Sequence, residues 1–150
     1  ASVRAVAAGD NGAVWEDACV EFFSIPAGDG IYYNVECNCA GILLIGAGAG
    51  RENREHAPQE VMDKVQRWSS LGRQSFEERV GECNWELALV IPYSAFFKHQ
   101  ITSLDGKTVR ANFYKCGDKL QTPHFLSWNP IALEKPNFHC PEFFGTLNFE

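Results

Sequence analysis

A chain of 150 residues with 45% hydrophobic content has the size of one domain and can bury a core without relying on disulfides or a metal. Its 13 basic residues are scattered among 19 acidic ones for a net charge of -6, and so provide no concentrated positive field; this argues against nucleic acid and anionic membrane surfaces as partners. The longest apolar runs, such as Gly41 to Gly50, reach about half the length of a membrane-spanning helix, and the chain opens without the basic-then-apolar pattern of a signal peptide.

In chain order, the first clear strand is Ala18 to Ile25, ending at Pro26-Ala27-Gly28-Asp29-Gly30, a cluster suited to a hairpin connection. Its partner is Ile31 to Cys39. There the odd positions Ile31, Tyr33, Val35, Cys37 and Cys39 form an apolar face, and Tyr32, Asn34, Glu36 and Asn38 a polar-aromatic one, so a half-buried strand with a chemically useful outer face is expected. A strand at Gly41 to Ile45 follows, then Arg51 to His56, a charged stretch that reads as a solvated loop. Pro58 suits a first helical turn, and Val61, Val65 and Trp68 recur at helical spacing, predicting one short helix that caps an open end of the fold. Strands are then predicted at Asn84 to Ile91, Thr108 to Lys115, Phe125 to Trp128 and Gly145 to Phe149, with a turn at Ser103 to Lys107. The sum is one all-β domain over residues 1–150, an antiparallel β-sandwich of the immunoglobulin or jelly-roll kind with long connections and one short helix.

Two segments concentrate chemistry. Val14 to Phe23 leads a tryptophan and the carboxylates Glu16, Asp17 and Glu21 into a strand. Sugar sites use this mixture, because a flat aromatic face stacks on the C–H face of a pyranose while carboxylates and amides pair with its hydroxyls. Phe125 to Asn129 and the loop Pro136 to Gly145 hold prolines and aromatics, a stiff and preorganised recognition element in which Phe143 and Phe144 are expected to anchor to the core. Core packing of Trp15 is the plainer alternative.

On these residues the chain resembles the family 9 carbohydrate-binding modules and the related domains of polysaccharide-degrading bacteria. Trp15-Glu16-Asp17 running into Val20-Glu21-Phe22 is similar to the family's Trp-Glu motif before a Val-Glu-aromatic strand, and Ser127-Trp128 with the later Phe144-Gly145 is similar to its C-terminal signature. The resemblance runs from about Ala13 to the C-terminus. It implies non-catalytic capture of a terminal sugar of a mono- or oligosaccharide between two aromatic walls, in support of polysaccharide breakdown and beside a catalytic partner domain, in a secreted or periplasmic setting. Trp15 would be one wall and Phe138, where the family has tryptophan, the other; Glu21 would accept from a hydroxyl, Asn34 stands where the family has an arginine, and Asn112 matches a further polar contributor. Family members carry at least two strands before the equivalent of Val3, so this chain is expected to enter mid-domain, with an open edge or a fold completed differently.

Rival readings rest on particular residues. Glu16, Asp17, Glu21 and Glu36 could include the acid pair of a glycoside hydrolase, but no nucleophile motif accompanies them. His124, His139, Cys140 and the Cys37-x-Cys39 pair lack the spacing of a zinc site, and the six cysteines are too dilute for a disulfide scaffold, so most are expected as buried apolar residues, Cys37 and Cys39 on one face. Loops bearing Asp10, Asn11, Asp17, Asp29 or Asp118 can supply the oxygen ligands of structural calcium. Haem of the kind held by similar sandwiches needs a methionine, and the single Met62 falls on the predicted helix. The remaining alternative is a protein-interaction module docked on a glycan-degrading enzyme.

Overall fold

A computed structural model describes residues 1–150. The strands are β1 (Val3–Ala5), β2 (Cys19–Ile25), β3 (Tyr32–Asn38), β4 (Leu43–Gly48), β5 (Glu55–His56), β6 (Gln66–Ser69), β7 (Phe76–Arg79), β8 (Leu87–Val90), β9 (Thr108–Cys116), β10 (Phe125–Ser127) and β11 (Gly145–Asn148), and the single helix α1 spans Gln59–Met62. The main sheet runs β10-β9-β2-β3-β4-β5, with β11 also paired to β9. Two ribbons, β1-β7 and β6-β8, complete an all-β antiparallel sandwich. No helix is long and apolar enough to cross a membrane.

Period-two alternation gives the main sheet two distinct faces. On one, Val35, Cys37, Leu43 and Ile45 pack with Ala57, Met62, Val65 and Ala95, and Leu87 and Leu89 of β8 close over them. Tyr33, Ala47, Val109 and Ala111 extend this layer with Phe96 and Leu104. On the other face, Phe23, Tyr32 and Tyr114 meet Phe144 and Phe138 of the C-terminal loop. Phe144 is thus a core anchor as expected, while Phe143 contributes its backbone carbonyl to Asn129 Nδ2 at 2.7 Å.

With both faces covered, β3 departs from the half-buried strand expected: all seven of its residues are buried. The polar set Asn34, Glu36 and Asn38 therefore lies under a roof, which forces each to find a partner inside the protein. Cys37 and Cys39 also part company, because β3 ends at Asn38, whose Oδ1 accepts from the backbone N–H groups of Ala40 (3.1 Å) and Ile42 (2.9 Å) and turns the chain. Cys39 then packs with Val3, Ala5 and Ala18, away from Cys37.

The helix is shorter than its spacing predicts. After one turn, Arg67 Nη2 donates to the Met62 carbonyl at 3.0 Å, and its guanidinium forks onto Asp10 with both contacts at 2.7 Å. This anchor draws the chain into β6, which pairs Gln66–Ser69 with Leu87–Val90. Trp68 accordingly sits on a strand, 54% exposed, and does not extend the helix. Met62 is a core side chain of the first layer.

Candidate functional site

A pocket of about 360 Å³ opens on the face of the main sheet opposite β6 and β8. Its floor follows from strand pairing. Glu21 of β2 and Glu36 of β3 are register partners, and Cys116 of β9 stands opposite Cys19 of β2, so Glu21, Glu36 and Cys116 surface together beside Asn34 and Leu44. Gly46 is required behind Asn34: a Cβ there would lie 2.5 Å from Asn34 Oδ1.

Three loops make the walls. The turn Val14–Glu16 presents Trp15, which is 39% exposed while its carbonyl is fixed by the Asp118 N–H at 3.2 Å. The segment Pro136 to His139 makes a second wall, rigid for identifiable reasons. Phe138 stacks on Tyr114 with centroids 4.2 Å apart and planes within 9°, Tyr114 Oη donates to the Phe138 carbonyl at 3.2 Å, and Tyr32 Oη meets His139 Nδ1 at 2.8 Å. Phe125 stands at the mouth, edge-on to Phe138. The third wall is the β4–β5 connection, carrying Arg51 and Arg54, with His56 of β5 beside them.

Arg54 organises the floor. Its Nε and Nη2 donate to Asn34 Oδ1 at 3.0 and 2.8 Å, Nη2 also to the Tyr32 carbonyl at 2.8 Å and Nη1 to the Gly50 carbonyl at 2.9 Å, with the guanidinium 3.9 Å over the Tyr32 ring. Held from that side, Asn34 directs Nδ2 to Glu36 Oε1 at 2.9 Å. Glu36 Oε2 is buried without a partner. Burial lifts the Glu36 carboxyl to about 7, against the opposing pull of Asn34 and Arg54. Glu21 is pushed well above the carboxylate range by burial, then by Glu36 and by Cys116, whose thiol donates to Glu21 Oε1 at 3.1 Å. His139 goes the other way, to about 4, through burial and the charges of Arg54 and Arg51. Burial thus biases the floor carboxyls toward the protonated form, able both to donate and to accept, beside a neutral imidazole and a fixed guanidinium.

An aromatic rim over a polar floor is the general form of a sugar site, and the comparisons with known proteins agree with that form. The sequence pattern of carbohydrate-binding family 9 matches residues 1–149. This chain belongs to carbohydrate-binding family 9. A crystal structure of a protein from Bacteroides uniformis ATCC 8492, described as a "putative carbohydrate-binding protein", superposes with a TM-score of 0.96 at 71% identity, covering 100% of this chain and 69% of that one. The curated proteins give no match.

Of the positions singled out in this family 9 domain, Trp15, Glu21, Asn34 and Phe138 all line the one pocket. Asn112 lies on the same sheet face but is fully buried farther along β9, where its side chain donates to the Asn129 carbonyl at 3.0 Å and accepts from the Asn129 N–H at 2.8 Å. It fastens the base of the C-terminal loop. Asp10 is held by Arg67, Asp29 meets His99 at 2.7 Å, and Asp17 accepts from Val6, Ala7 and Asn38, so these calcium candidates lie apart from one another. Glu16 pairs with Lys119 at 3.0 Å. His124 lies 2.7 Å from Lys115 Nζ.

Arg54, Glu36 and Phe125 are among the lining residues that the predicted sugar site did not include. The stretch Arg51 to His56 is not merely a solvated loop: it ends in β5, and Arg54 turns inward. With Asn34 standing where the resemblance puts an arginine, the guanidinium at the floor comes instead from this neighbouring loop. Its only sequence signal is a lone arginine among polar neighbours, which a solvated loop gives equally well.

Proposed function

We propose that this domain captures the terminal sugar of a glycan in the pocket between Trp15 and Phe138. The observation that carries the reading is the meeting of an exposed indole and a braced phenyl ring above a buried polar floor. Trp15 stacks on the C–H face of the ring and Phe138 backs the opposite face, while Glu21, Asn34, Glu36 and the remaining N–H of Arg54 address hydroxyls. The wall made by the C-terminal loop is braced before ligand arrives, so little ordering entropy is lost on binding. As a non-catalytic domain it serves polysaccharide breakdown by holding a catalytic partner at the chain end.

Calorimetric titration with a panel of neutral mono- and oligosaccharides tests this. Stacking and a few solvent-competed hydrogen bonds give roughly -4 to -8 kcal/mol, millimolar to micromolar affinity. Saturable heat that disappears in Trp15→Ala is the expected result. No heat with any sugar at tens of millimolar, in protein shown to be folded, overturns it.

A further inference from the structure

At the floor of the pocket lies a cluster of which the sugar reading uses Glu21 alone and leaves both thiols without a role. Cys19 and Cys116 face each other across β2 and β9, and Glu21 follows Cys19 by two residues on the same face. The two Sγ atoms and a Glu21 carboxylate oxygen all lie within 4.8 Å of one another, with the Cys116 sulfur 3.1 Å from Glu21 Oε1. All three residues are buried, and both cysteines are free thiols. The geometry points to a binding site for one thiophilic divalent cation of the zinc and cadmium class, held by Cys19 Sγ, Cys116 Sγ and a carboxylate oxygen of Glu21.

Packing alone does not account for this group. Cys19 and Cys116 border an apolar cluster with Val14 and Leu44, where two small apolar side chains would fill the space without a carboxyl beside them. A second observation lies next to it. Glu36, the register partner of Glu21 and itself buried, keeps Oε2 without a hydrogen-bond partner on the same floor. Asp118 lines the pocket there as well. Acidic groups gathered in a buried place repel one another when ionised, and a cation between them relieves that repulsion. A divalent cation replaces the protons these groups carry, which leave to solvent as the thiolates and carboxylate coordinate.

The donor set selects the ion. Two sulfurs and one oxygen suit a borderline-soft d10 cation, whereas calcium takes six to eight oxygens and magnesium keeps its water shell. Zinc–sulfur bonds of about 2.3 Å and zinc–oxygen bonds of about 2.0 Å place neighbouring ligand atoms ~3.5 Å apart; Cys116 Sγ and Glu21 Oε1 are already at 3.1 Å and no pair of donors exceeds 4.8 Å, so side-chain rotation on fixed strands suffices to close the set. Glu21 and Cys116 line the pocket and Cys19 does not, so the remaining coordination position faces the pocket.

The metal site shares Glu21 with the sugar reading but rests on the two thiols rather than on the aromatic rim, and metal binding is read without any glycan, so either can fail alone. The test is to titrate cadmium into reduced, chelator-stripped protein and follow the ultraviolet thiolate-to-metal charge-transfer band. The band is expected to saturate at one equivalent, to persist in Cys83→Ser and to vanish in the double variant Cys19→Ser/Cys116→Ser, with at least a tenfold loss of affinity in Glu21→Gln. In the wild-type chain, zinc is expected to raise the thermal midpoint where equimolar calcium does not, a readout that survives if the double variant fails to fold. No band and no zinc shift with all six thiols counted as reduced, or a band retained in the double variant, overturns the site. A thiol count two short, tracing to a Cys19–Cys116 disulfide, overturns it in favour of a cross-strand bridge.

Discussion

Replacing Arg54 with methionine keeps the stem over Tyr32 but removes the guanidinium and with it four hydrogen bonds to three acceptors. Asn34 Oδ1 and the Tyr32 carbonyl lose their charged donor, and Asn34 loses the hold that aims Nδ2 at Glu36. A hydrogen bond to a charged group contributes about 1.5–3 kcal/mol, and a stranded buried acceptor costs about 1–3 kcal/mol. These are not additive here, and because Arg54 is only half-buried, solvent offsets part of them. The expected loss is about 2–4 kcal/mol of unfolding free energy. Arg54→Lys should recover less than half, since one ammonium cannot fork onto Asn34 and still reach both carbonyls. Urea unfolding at pH 7, followed by far-ultraviolet circular dichroism, measures both, with an unchanged m-value showing that the comparison is fair. A loss below about 0.5 kcal/mol for Arg54→Met would mean that the side chain is a solvated loop charge after all and that Arg54 does not hold Asn34 in place.

Other substitutions separate the parts of the site. Trp15→Ala should lower sugar affinity at least tenfold by calorimetry in protein that remains folded by circular dichroism; equal affinity would remove Trp15 from the site. Gly46→Ala places a methyl against Asn34 Oδ1 and should cost about 1–3 kcal/mol together with sugar binding, so an unperturbed variant would show that Asn34 is free to move. Asn112→Ala strands the Asn129 N–H and carbonyl, with an expected loss of about 1–3 kcal/mol and faster proteolysis in the 129–140 loop; protease resistance equal to wild type would refute the anchoring role. His139 is held at about 4 in the folded state against an ordinary 6.5, so the unfolded chain takes up its proton first and stability falls as pH drops through that window. At 1.36 kcal/mol per unit, reduced for partial exposure, the His139 share is about 2 kcal/mol, read as the difference between the wild-type and His139→Gln stability curves from pH 7 to 4. Glu21 and Glu36 slope the opposite way in both proteins and so drop out of that difference.

What the sequence showed depended on strand length. β2, β3 and β9 are long enough for alternation to repeat, and their predicted bounds agree to within one or two residues. β1, β5 and β7 run two to four residues and gave no periodic signal. The helical spacing of Val61, Val65 and Trp68 was a coincidence of period, overridden by the Arg67–Asp10 anchor and by pairing of β6 with β8. Side-chain alternation showed that Asn34 and Glu36 share a face, but it gave no sign that this face is roofed, since the roof comes from a loop more than a hundred residues later in the chain. Cys19 and Cys116 illustrate the same limit: each reads alone as a buried cysteine, and only the β2–β9 register sets them opposite each other.

That register also explains why the floor is built on the centre of the sheet. β2 pairs on both sides, with β3 and with β9, so Glu21 cannot shift without sliding two ladders. Burying Glu21 beside Glu36 lowers stability relative to an apolar pair, because each carboxyl is desolvated and each disfavours ionisation of the other. A fold shaped by stability alone would place such a pair at an exposed edge, where water screens it. Keeping both carboxyls on strands that are each paired on both sides, and under a braced loop, makes sense where their positions must be held to a fraction of an ångström. Recognition of a ligand by hydrogen bonds imposes that demand, and general solubility does not.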